Sequence, residues 1–446
     1  MKIQISDHFN YKKLFFFVLP SIFMMVVTSV YGVIDGLFVS NFVGKTSFAA
    51  VNLIMPVVMI LGGMGFMIGT GGTALVTKIL GEEDTEKANR YFTMLIIFSV
   101  IFGILLTAIG EAAMRPLARI LGGGKASDAM IEDCVTYGRI VVGFTLFFML
   151  QNIFQSFLAA AEKPKLGLAV TLIAGLSNAA LDALFIVGFK WGVVGAAVAT
   201  GIGQVLGGAI PLVYFARKNG SLLKFTKTKF EIKPILRACG NGSSELLTNI
   251  ASSVVGMLYN FQLMKFYGEN GVSAYGVIMY VQLIFLALMI GYTIGSAPIV
   301  GYNYGAKNSD ELKNIFKKSM IILSVGGVIM SGASQALAVP LAKLFVGYDT
   351  ELYDLTVHAF RLFSFSFVFS GIAIYSSGFF TALNNGLISA ILSVMRSLAF
   401  QVTFVFLLPQ IFGVEGIWWA MFATEACASV AAIAFFIAKR KKYNYA

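Results

Sequence analysis

The sequence has little charge for its length. Asp, Glu, Lys and Arg make up 12% of its 446 residues, whereas hydrophobic residues make up 58%. Charges at this density could not cover the apolar surface of a water-soluble domain. The composition therefore excludes an ordinary soluble protein and indicates an integral membrane protein.

Cysteine and histidine are also scarce. Cys134, Cys239 and Cys427 are dispersed and lack metal-ligand spacing, and His8 and His358 are isolated. This pattern argues against a disulfide framework and against a zinc site.

Motifs for enzymatic chemistry are missing too. The segment 122–127 (GGGKAS) resembles a phosphate loop only superficially, because it lacks the G-x-x-x-x-G-K spacing. We find no pairing of a nucleophile with a base, so we predict no enzymatic activity and no cofactor.

Long apolar stretches fill most of the chain. Runs of about 20 apolar residues indicate membrane-spanning helices. We predict twelve, at approximately 14–40, 48–78, 88–111, 135–159, 166–187, 192–215, 236–265, 273–303, 314–337, 357–383, 387–408 and 414–438. The first is too long for a signal-peptide core and is interpreted as a retained helix.

Basic residues favour alternate connections. With both termini in the cytoplasm, 23 of the 33 Lys and Arg residues lie on the cytoplasmic side and seven in the opposite loops. This positive-inside pattern predicts cytoplasmic termini. The net charge of +11 therefore suits contact with the lipid bilayer through the basic stretch 216–235 and the tail 439–442, and we expect no nucleic-acid partner.

The two halves of the chain resemble each other. At a shift of 224 residues, Phe42-Val43-Gly44 matches Phe266-Tyr267-Gly268, and Pro116-Leu117-Ala118 matches Pro340-Leu341-Ala342. The shift falls to 221 where Gly192 matches Gly413. Each half has an even number of spans, so the copies share one orientation, as in transporters with parallel repeats.

We therefore predict an all-α membrane protein with two six-helix bundles, related by a pseudo-two-fold axis along the membrane normal. Residues 1–215 form the N-terminal lobe, 216–235 a basic cytoplasmic linker and 236–446 the C-terminal lobe. We expect the chain to act as a monomer.

Two acids lie inside the apolar spans of the first half, Asp35 in the first span and Asp182 in the fifth. A carboxylate at the centre of a span costs about 2.5–3.5 kcal/mol on insertion scales, and such residues usually face a cavity or an ion path. Asn178 is four residues before Asp182 and shares its helix face. Together with Thr200 these residues form an oxygen-rich set.

Such a set can bind a hard cation such as Na⁺. Alternatively, one carboxylate can hold a proton if its partner is close and its surroundings are dry. A third alternative is that Asp35 and Asp182 lie near helix ends, in contact with water, and act as caps.

The segment Asn178-x-x-x-Asp182-x-x-Phe-Ile, followed by Val-Val-Gly-Ala-Ala-x-Ala-Thr200, resembles the sixth-span region of the multidrug and toxic compound extrusion (MATE) transporters. Asp35 matches as well, and the resemblance covers the whole chain. It implies the MATE fold and a bacterial inner-membrane location. It also implies export of organic cations and other amphipathic small molecules in exchange for Na⁺ or H⁺. The implied coupling site comprises Asp35, Asn178, Asp182, Thr200 and the carbonyl of Ala196.

One branch of that family has its main acidic site in the second half. Here the span 357–383 contains no Asp or Glu, and the repeat pairs Asp35 with Tyr259 and Asp182 with Thr403. The pattern therefore resembles the DinF-like and MepA-like members, with the coupling chemistry in the first half. The segment Ala159–Pro164 departs from the family pattern.

Several residues are candidates for contact with a transported compound. They are Tyr31, Met55, Met59, Gln151, Tyr259, Tyr280 and Glu425. Methionine and aromatic side chains adapt to varied ligands, but they are also ordinary packing residues. Glu425 could instead form an internal ion pair with Arg396. Glu245 could bind a cationic drug or cap a helix that begins after Asn241-Gly-Ser-Ser.

The main prediction is a secondary active multidrug antiporter that works by alternating access. A lipid-linked oligosaccharide flippase of the same superfamily is the alternative, and basic residues lining the central cavity would favour it. A membrane enzyme acting on lipid lacks a catalytic motif here. A channel fits a duplicated two-lobed chain less well than a transporter does.

Overall fold

The computed structural model describes residues 3–122, 127–347 and 349–446, apart from the side chains of Lys45 and Glu269. Most of the segment 122–127 therefore lies outside the described residues. Within the described ranges the chain is helical throughout its long apolar stretches.

The described residues form twelve long rods, which we number α1 to α12. They are α1 (Tyr11–Val43), α2 (Lys45–Gly81), α3 (Thr85–Gly122), α4 (Asp128–Gly143 with Thr145–Ala160), α5 (Pro164–Gly188), α6 (Gly192–Ala216), α7 (232–267), α8 (Asn270–Gly305), α9 (Ser309–Val346), α10 (Thr350–Ser364 with Phe367–Ala382), α11 (386–412) and α12 (Gly416–Tyr443). We call α1–α6 the N-terminal lobe and α7–α12 the C-terminal lobe.

Length and hydropathy identify most of these rods as spans. Eight described helical stretches pass both criteria, and α4 and α10 pass as pairs bent by 55° and 50°. The stretch Gly386–Tyr443 contains two rods, α11 and α12. The rod α7 is not among the stretches that pass, and polar residues recur along it. The twelve-helix prediction is confirmed, and its division at 216–235 stays a prediction.

The turn glycines explain part of the repeat. Four described glycines have positive φ, and they form two repeat pairs: Gly44 with Gly268, and Gly192 with Gly413. Each ends one rod and starts the next on the side away from the termini. Only glycine adopts such angles without steric cost, so both halves keep it at these turns.

The two lobes cross tightly at the end of the molecule that carries the termini. A Cβ atom on Gly81 of α2 would overlap the carbonyl oxygen of Tyr302 in α8. Likewise, a Cβ on Gly305 would overlap the carbonyl oxygen of Lys78. The two contacts are equivalent at the shift of 224 residues. Each lobe thus supplies a glycine that lets the other's backbone approach.

The segment 3–10, which we call the N-terminal strap, joins the same end of both lobes. The backbone N–H of Ile5 donates to Glu162 between α4 and α5, at 2.9 Å. The N–H of Phe9 donates to Glu311 at the start of α9, also at 2.9 Å. The side chains of Ile5 and Phe9 are buried. Both termini and these connections therefore share one face, as an even number of spans requires.

The connection 217–231 is fastened to the N-terminal lobe. The N–H of Lys224 donates to the Asn89 side chain at 2.7 Å, and the N–H of Thr226 donates to Thr93 at 3.0 Å. Phe225 stacks on Phe92 of α3, with the ring centroids 5.3 Å apart. This basic segment is thus a packed part of the lobe.

Candidate cation site

Three spans of the N-terminal lobe bring the predicted oxygen ligands together. Asp35 comes from α1, Asn178 and Asp182 from α5, and Thr200 from α6. Asp35 is 7% exposed, Asn178 3% and Asp182 0%. Because both acids are buried, neither Asp35 nor Asp182 is a helix cap in contact with water, and that alternative is wrong.

The contacts within this cluster are direct. The Thr200 hydroxyl donates to Asp35 Oδ1 at 3.3 Å. Asp35 and Asp182 are close enough to interact through their carboxyl groups. In the described part of the chain, neither oxygen of Asp182 has a hydrogen-bond partner, and the same holds for Oδ1 of Asn178.

The carboxylate of Asp182 and the amide oxygen of Asn178 are therefore buried acceptors that receive no hydrogen bond from the described residues. Buried polar atoms normally have a partner, and an unpaired one is costly. Two carboxylates and an amide oxygen would be satisfied by a proton or by a hard cation such as Na⁺. The described residues contain no group of three or more His, Cys, Asp and Glu, so the set does not resemble a transition-metal site.

The backbone beside the acids is irregular. A π-helical turn, Ala183–Gly188, begins directly after Asp182, and another, Val39–Val43, follows Asp35 by one turn. Such turns occur mostly as single insertions and are frequent at functional sites. The sequence carries no signal that we could have used to predict them.

Aromatic and amide groups surround the cluster. Tyr137 of α4 is 2% exposed, and its hydroxyl interacts with Thr200. Tyr31 lies one turn before Asp35, and its hydroxyl interacts with Gln151 of α4. Tyr31 and Gln151 thus lie beside the acids, and their predicted contact with a transported compound stays a prediction.

Ala196, whose carbonyl was expected to complete the site, is fully buried in α6. It lies one helical turn before Thr200, so its carbonyl faces the same side of that helix. Its part in binding a cation stays a prediction.

The remaining candidates for substrate contact do not form one cluster. Met55 is half-buried and Met59 is 48% exposed, both in α2. Tyr259 is buried, stacks on Tyr275 at 5.0 Å, and its hydroxyl lacks a partner among the described residues. Tyr280 is 40% exposed and stacks on Phe345 of α9. These contacts to a substrate stay predictions.

Glu425 forms the internal ion pair that the sequence left open. Arg396 Nε lies 3.0 and 3.1 Å from the two carboxylate oxygens of Glu425, and Nη2 lies 2.8 Å from Oε1. Glu425 is fully buried, and Arg396 lies in a third π-helical turn, Met395–Phe400. A bidentate pair of this kind is geometrically specific.

Glu245 does not begin a helix. The rod α7 starts at Ile232, so Glu245 lies well inside it, and the interpretation as a capping residue is wrong. The misleading signal was the Asn-Gly-Ser-Ser sequence, which resembles a helix start. Packing against α2 keeps these residues helical, since Gly242 allows the Met67 carbonyl to approach closely.

Comparisons with known proteins bear on the whole chain. The multidrug export protein MepA of Staphylococcus haemolyticus (strain JCSC1435) is 24% identical over 426 residues, which cover 94% of this chain and 92% of that protein. MepA of Staphylococcus aureus (strain MSSA476) is 23% identical over 427 residues, with coverage of 95% and 92%.

Solved structures share the fold. One is described as the outward-facing conformation of a multidrug resistance MATE family transporter of the MOP superfamily. It has a TM-score of 0.91 at 21% identity and 98% coverage of both chains. A MOP superfamily transporter from Pyrococcus furiosus, described as having a binding pocket of reverse polarity, has a TM-score of 0.88 at 23% identity, with 98% and 96% coverage.

The MatE family model matches residues 20–184 and 246–407, one segment in each lobe. These segments cover well over half of the chain and contain Asp35, Asn178 and Asp182. The chain therefore belongs to the MatE family of membrane transporters.

Proposed function

We propose that this transporter exports organic cations and other amphipathic compounds across the bacterial inner membrane, in exchange for Na⁺ or protons. The observation that carries the proposal is the buried pair Asp35 and Asp182 with its unpartnered acceptor oxygens. Relatives named as multidrug export proteins support the substrate class.

In this mechanism the coupling cation enters the cluster of Asp35, Asn178, Asp182 and Thr200. Its binding draws α1, α5 and α6 together, because the ligands come from all three. The α1 rod also packs against α8 of the other lobe, since Gly291 and Gly295 allow close contact with the backbone near Ser21. A shift of α1 can therefore change how the lobes meet.

Exchange requires that cation and substrate favour different states. A ligand shifts an equilibrium only by its differential affinity for the two conformations. With cytoplasmic termini, the crossing at Gly81 and Gly305 closes the cytoplasmic side, so this conformation receives the cation from outside. Cation binding then favours substrate release, and the state open to the cytoplasm has the opposite preference.

The flippase alternative would need a basic central cavity. In the interior of the C-terminal lobe, the positive charge of Arg396 is neutralised by its ion pair with Glu425. The buried acids Asp35 and Asp182 of the N-terminal lobe have no basic partner among the described residues. This polarity favours cationic cargo over an anionic lipid-linked one.

The experiment compares Asp35→Asn and Asp182→Asn with wild type in membrane vesicles. Ethidium efflux is followed under an imposed Na⁺ gradient and, separately, under a pH gradient. We expect both variants to lose gradient-driven efflux under the gradient that drives the wild type. Asp354→Asn, at an exposed position in α10, is the matched control and should transport normally. Full gradient-driven efflux by both site variants would refute the proposed coupling site.

A further inference from the structure

A narrow cavity lies between the two lobes, separate from the cluster around Asp35. It offers about 30 Å³ of space for the centres of water-sized molecules. That is room for roughly two waters or one small cation, and it is too small for a drug. Its polar lining comes from both lobes: Thr70, Thr73 and Ser156 from the N-terminal lobe, and Glu245, Thr293 and Thr381 from the C-terminal lobe.

The hydroxyl groups of this lining face the cavity mainly as acceptors. Thr70 donates its proton to the carbonyl of Phe66, and Thr293 donates to the carbonyl of Met289, each at 2.9 Å. A hydroxyl has one proton to donate and two lone pairs. Once the proton is used within the helix, only lone pairs remain for a molecule in the cavity.

Two further oxygens in the lining have no partner. The hydroxyls of Thr73 and Ser156 are each 2% exposed, and neither makes a hydrogen bond to any described residue. Buried hydroxyls are seldom left unsatisfied, so these two indicate an occupant of the cavity. Glu245 adds a carboxylate from the opposite wall.

We propose that this cavity is a second cation site, in which Glu245 and the surrounding hydroxyls hold a small monovalent cation: Na⁺ or a hydrated proton. The carboxylate supplies the charge, and the hydroxyls replace part of the cation's hydration shell. The site rests on the proposed antiport only for its role in transport; the binding itself does not depend on it.

The position of the site makes its affinity depend on conformation. Its ligands come from α2 and α4 on one side and from α7, α8 and α10 on the other. When the lobes separate at the end that carries the termini, these groups move apart. The cation therefore stabilises the state described here, in which α2 crosses α8 at Gly81 and Gly305. The cluster around Asp35 lies within one lobe and survives that separation.

The first test measures the thermal unfolding midpoint of the purified, full-length protein in detergent. NaCl is titrated at fixed pH with choline chloride as the inert salt, and in a second arm pH is varied in choline chloride. A ligand that binds only the folded state raises the midpoint in proportion to its binding free energy. A midpoint that rises with NaCl identifies Na⁺ as the cation, whereas a midpoint that responds only to pH identifies the proton.

We expect Glu245→Gln and Thr73→Val each to reduce the cation-dependent shift by roughly half, because two independent sites add their stabilisation. Asp35→Asn should remove the other half, and Glu245→Gln with Asp35→Asn should remove all of it. Thr248→Val is the matched control: Thr248 bonds its own helix and does not line the cavity. If Glu245→Gln and Thr73→Val both show the same cation-dependent midpoint shift as the wild type, in both arms, the proposal is wrong.

The second test separates the two sites by conformation. Gly305→Ala places a methyl group against the Lys78 backbone and forces the crossing apart, whereas Gly256→Ala has no atom within 4 Å of the new methyl group. Gly305→Ala should lose the part of the shift that depends on Glu245 and keep the part that depends on Asp35. Gly256→Ala should keep both. Retention of the Glu245-dependent part in Gly305→Ala would show that the site does not require the closed crossing and would overturn its dependence on conformation.

These measurements remain informative if the proposed antiport fails. Normal efflux by Asp35→Asn would refute the coupling role of the N-terminal cluster, but the binding shift at Glu245 would be unaffected by that result.

Discussion

In the N-terminal lobe, Asp35 and Asp182 are buried together, and no ion pair with either of them is found among the described residues. In the C-terminal lobe, Glu425 is equally buried but holds Arg396 in a bidentate pair. An unpaired buried charge is strongly unfavourable, whereas a paired one can be close to neutral. Under the proposed function, the acids of the first lobe take a cation from outside, whereas Glu425 of the second lobe is already paired within the protein.

The difference arose within a repeat. At the shift of 221 residues, Glu425 corresponds to Gln204, which is buried in α6 with an unpartnered Oε1. Tyr259 stands where the first lobe has Asp35. The duplicated fold thus kept its turns and its crossing while its interior charges diverged. The buried acids of the first lobe have no basic partner among the described residues, whereas Glu425 of the second lobe is held by Arg396.

The largest effect is expected from breaking the pair in the C-terminal lobe. Glu425→Ala leaves the Arg396 guanidinium buried without its partner, which costs about 3–5 kcal/mol in comparable cases. We expect low yield and a strongly reduced thermal midpoint in detergent. The double variant Arg396→Met with Glu425→Leu should recover most of the stability. A double variant as unstable as Glu425→Ala would show that the charges themselves are needed.

The matching change in the N-terminal lobe should have the opposite effect on stability. Asp182→Asn removes a carboxylate that lies beside Asp35, so the thermal midpoint without added cation should stay the same or rise. The same measurement with cation should show a smaller shift than in wild type. If Asp182→Asn destabilises the protein as much as Glu425→Ala does, the two lobes do not differ in the way described.

A pair of tyrosines sharpens the comparison at smaller scale. Tyr137 and Tyr259 are both 2% exposed, but the Tyr137 hydroxyl interacts with Thr200, whereas the Tyr259 hydroxyl has no partner in the described residues. A hydrogen bond contributes about 0.5–1.5 kcal/mol net. Tyr137→Phe should therefore weaken cation binding by roughly two- to tenfold in a titration monitored by unfolding. Tyr259→Phe should leave it unchanged, and equal losses in both would contradict the assignment.

The smallest effect concerns how each lobe holds the N-terminal strap. Glu311 accepts the N–H of Phe9, and Glu162 accepts the N–H of Ile5, each at 2.9 Å. A hydrogen bond to a carboxylate is stronger than one to a neutral amide. Glu311→Gln should therefore speed hydrogen exchange at the Phe9 amide, and Glu162→Gln should speed it at the Ile5 amide. Mass spectrometry of peptides from the strap would measure both. Unchanged exchange at either amide would show that the corresponding lobe does not hold the strap through that bond.

Much of the architecture was predictable from the sequence. The apolar runs gave the twelve helices, because hydropathy and length are strong constraints in a bilayer. The glycine matches aligned the two halves, and the structure shows that Gly44, Gly192, Gly268 and Gly413 share a positive φ at turns. The acids of the first lobe were recognisable because a carboxylate in a span is costly.

Other features depend on how helices pack, and the sequence does not encode them locally. The π-helical turns beside Asp35 and Asp182 are features of this kind, since no residue pattern in α1 or α5 predicts them. The cavity at Glu245 is formed by hydroxyls from several spans, and any one of them could have bonded only its own helix. The start of α7 was misjudged because a polar Asn-Gly-Ser-Ser segment lies within a helix that packs against α2.

The N-terminal strap also bears on how the protein is made. Its residue His8 contacts Glu311, which is 303 residues later in the chain. At roughly 5–20 residues per second, synthesis of the intervening chain takes about 15–60 s. During that time Ile5 and Phe9 have no complete binding surface, so the strap reaches its final position only after the later contact has been synthesised. A chaperone or a fusion partner that occupies this segment would therefore act on assembly of the two lobes.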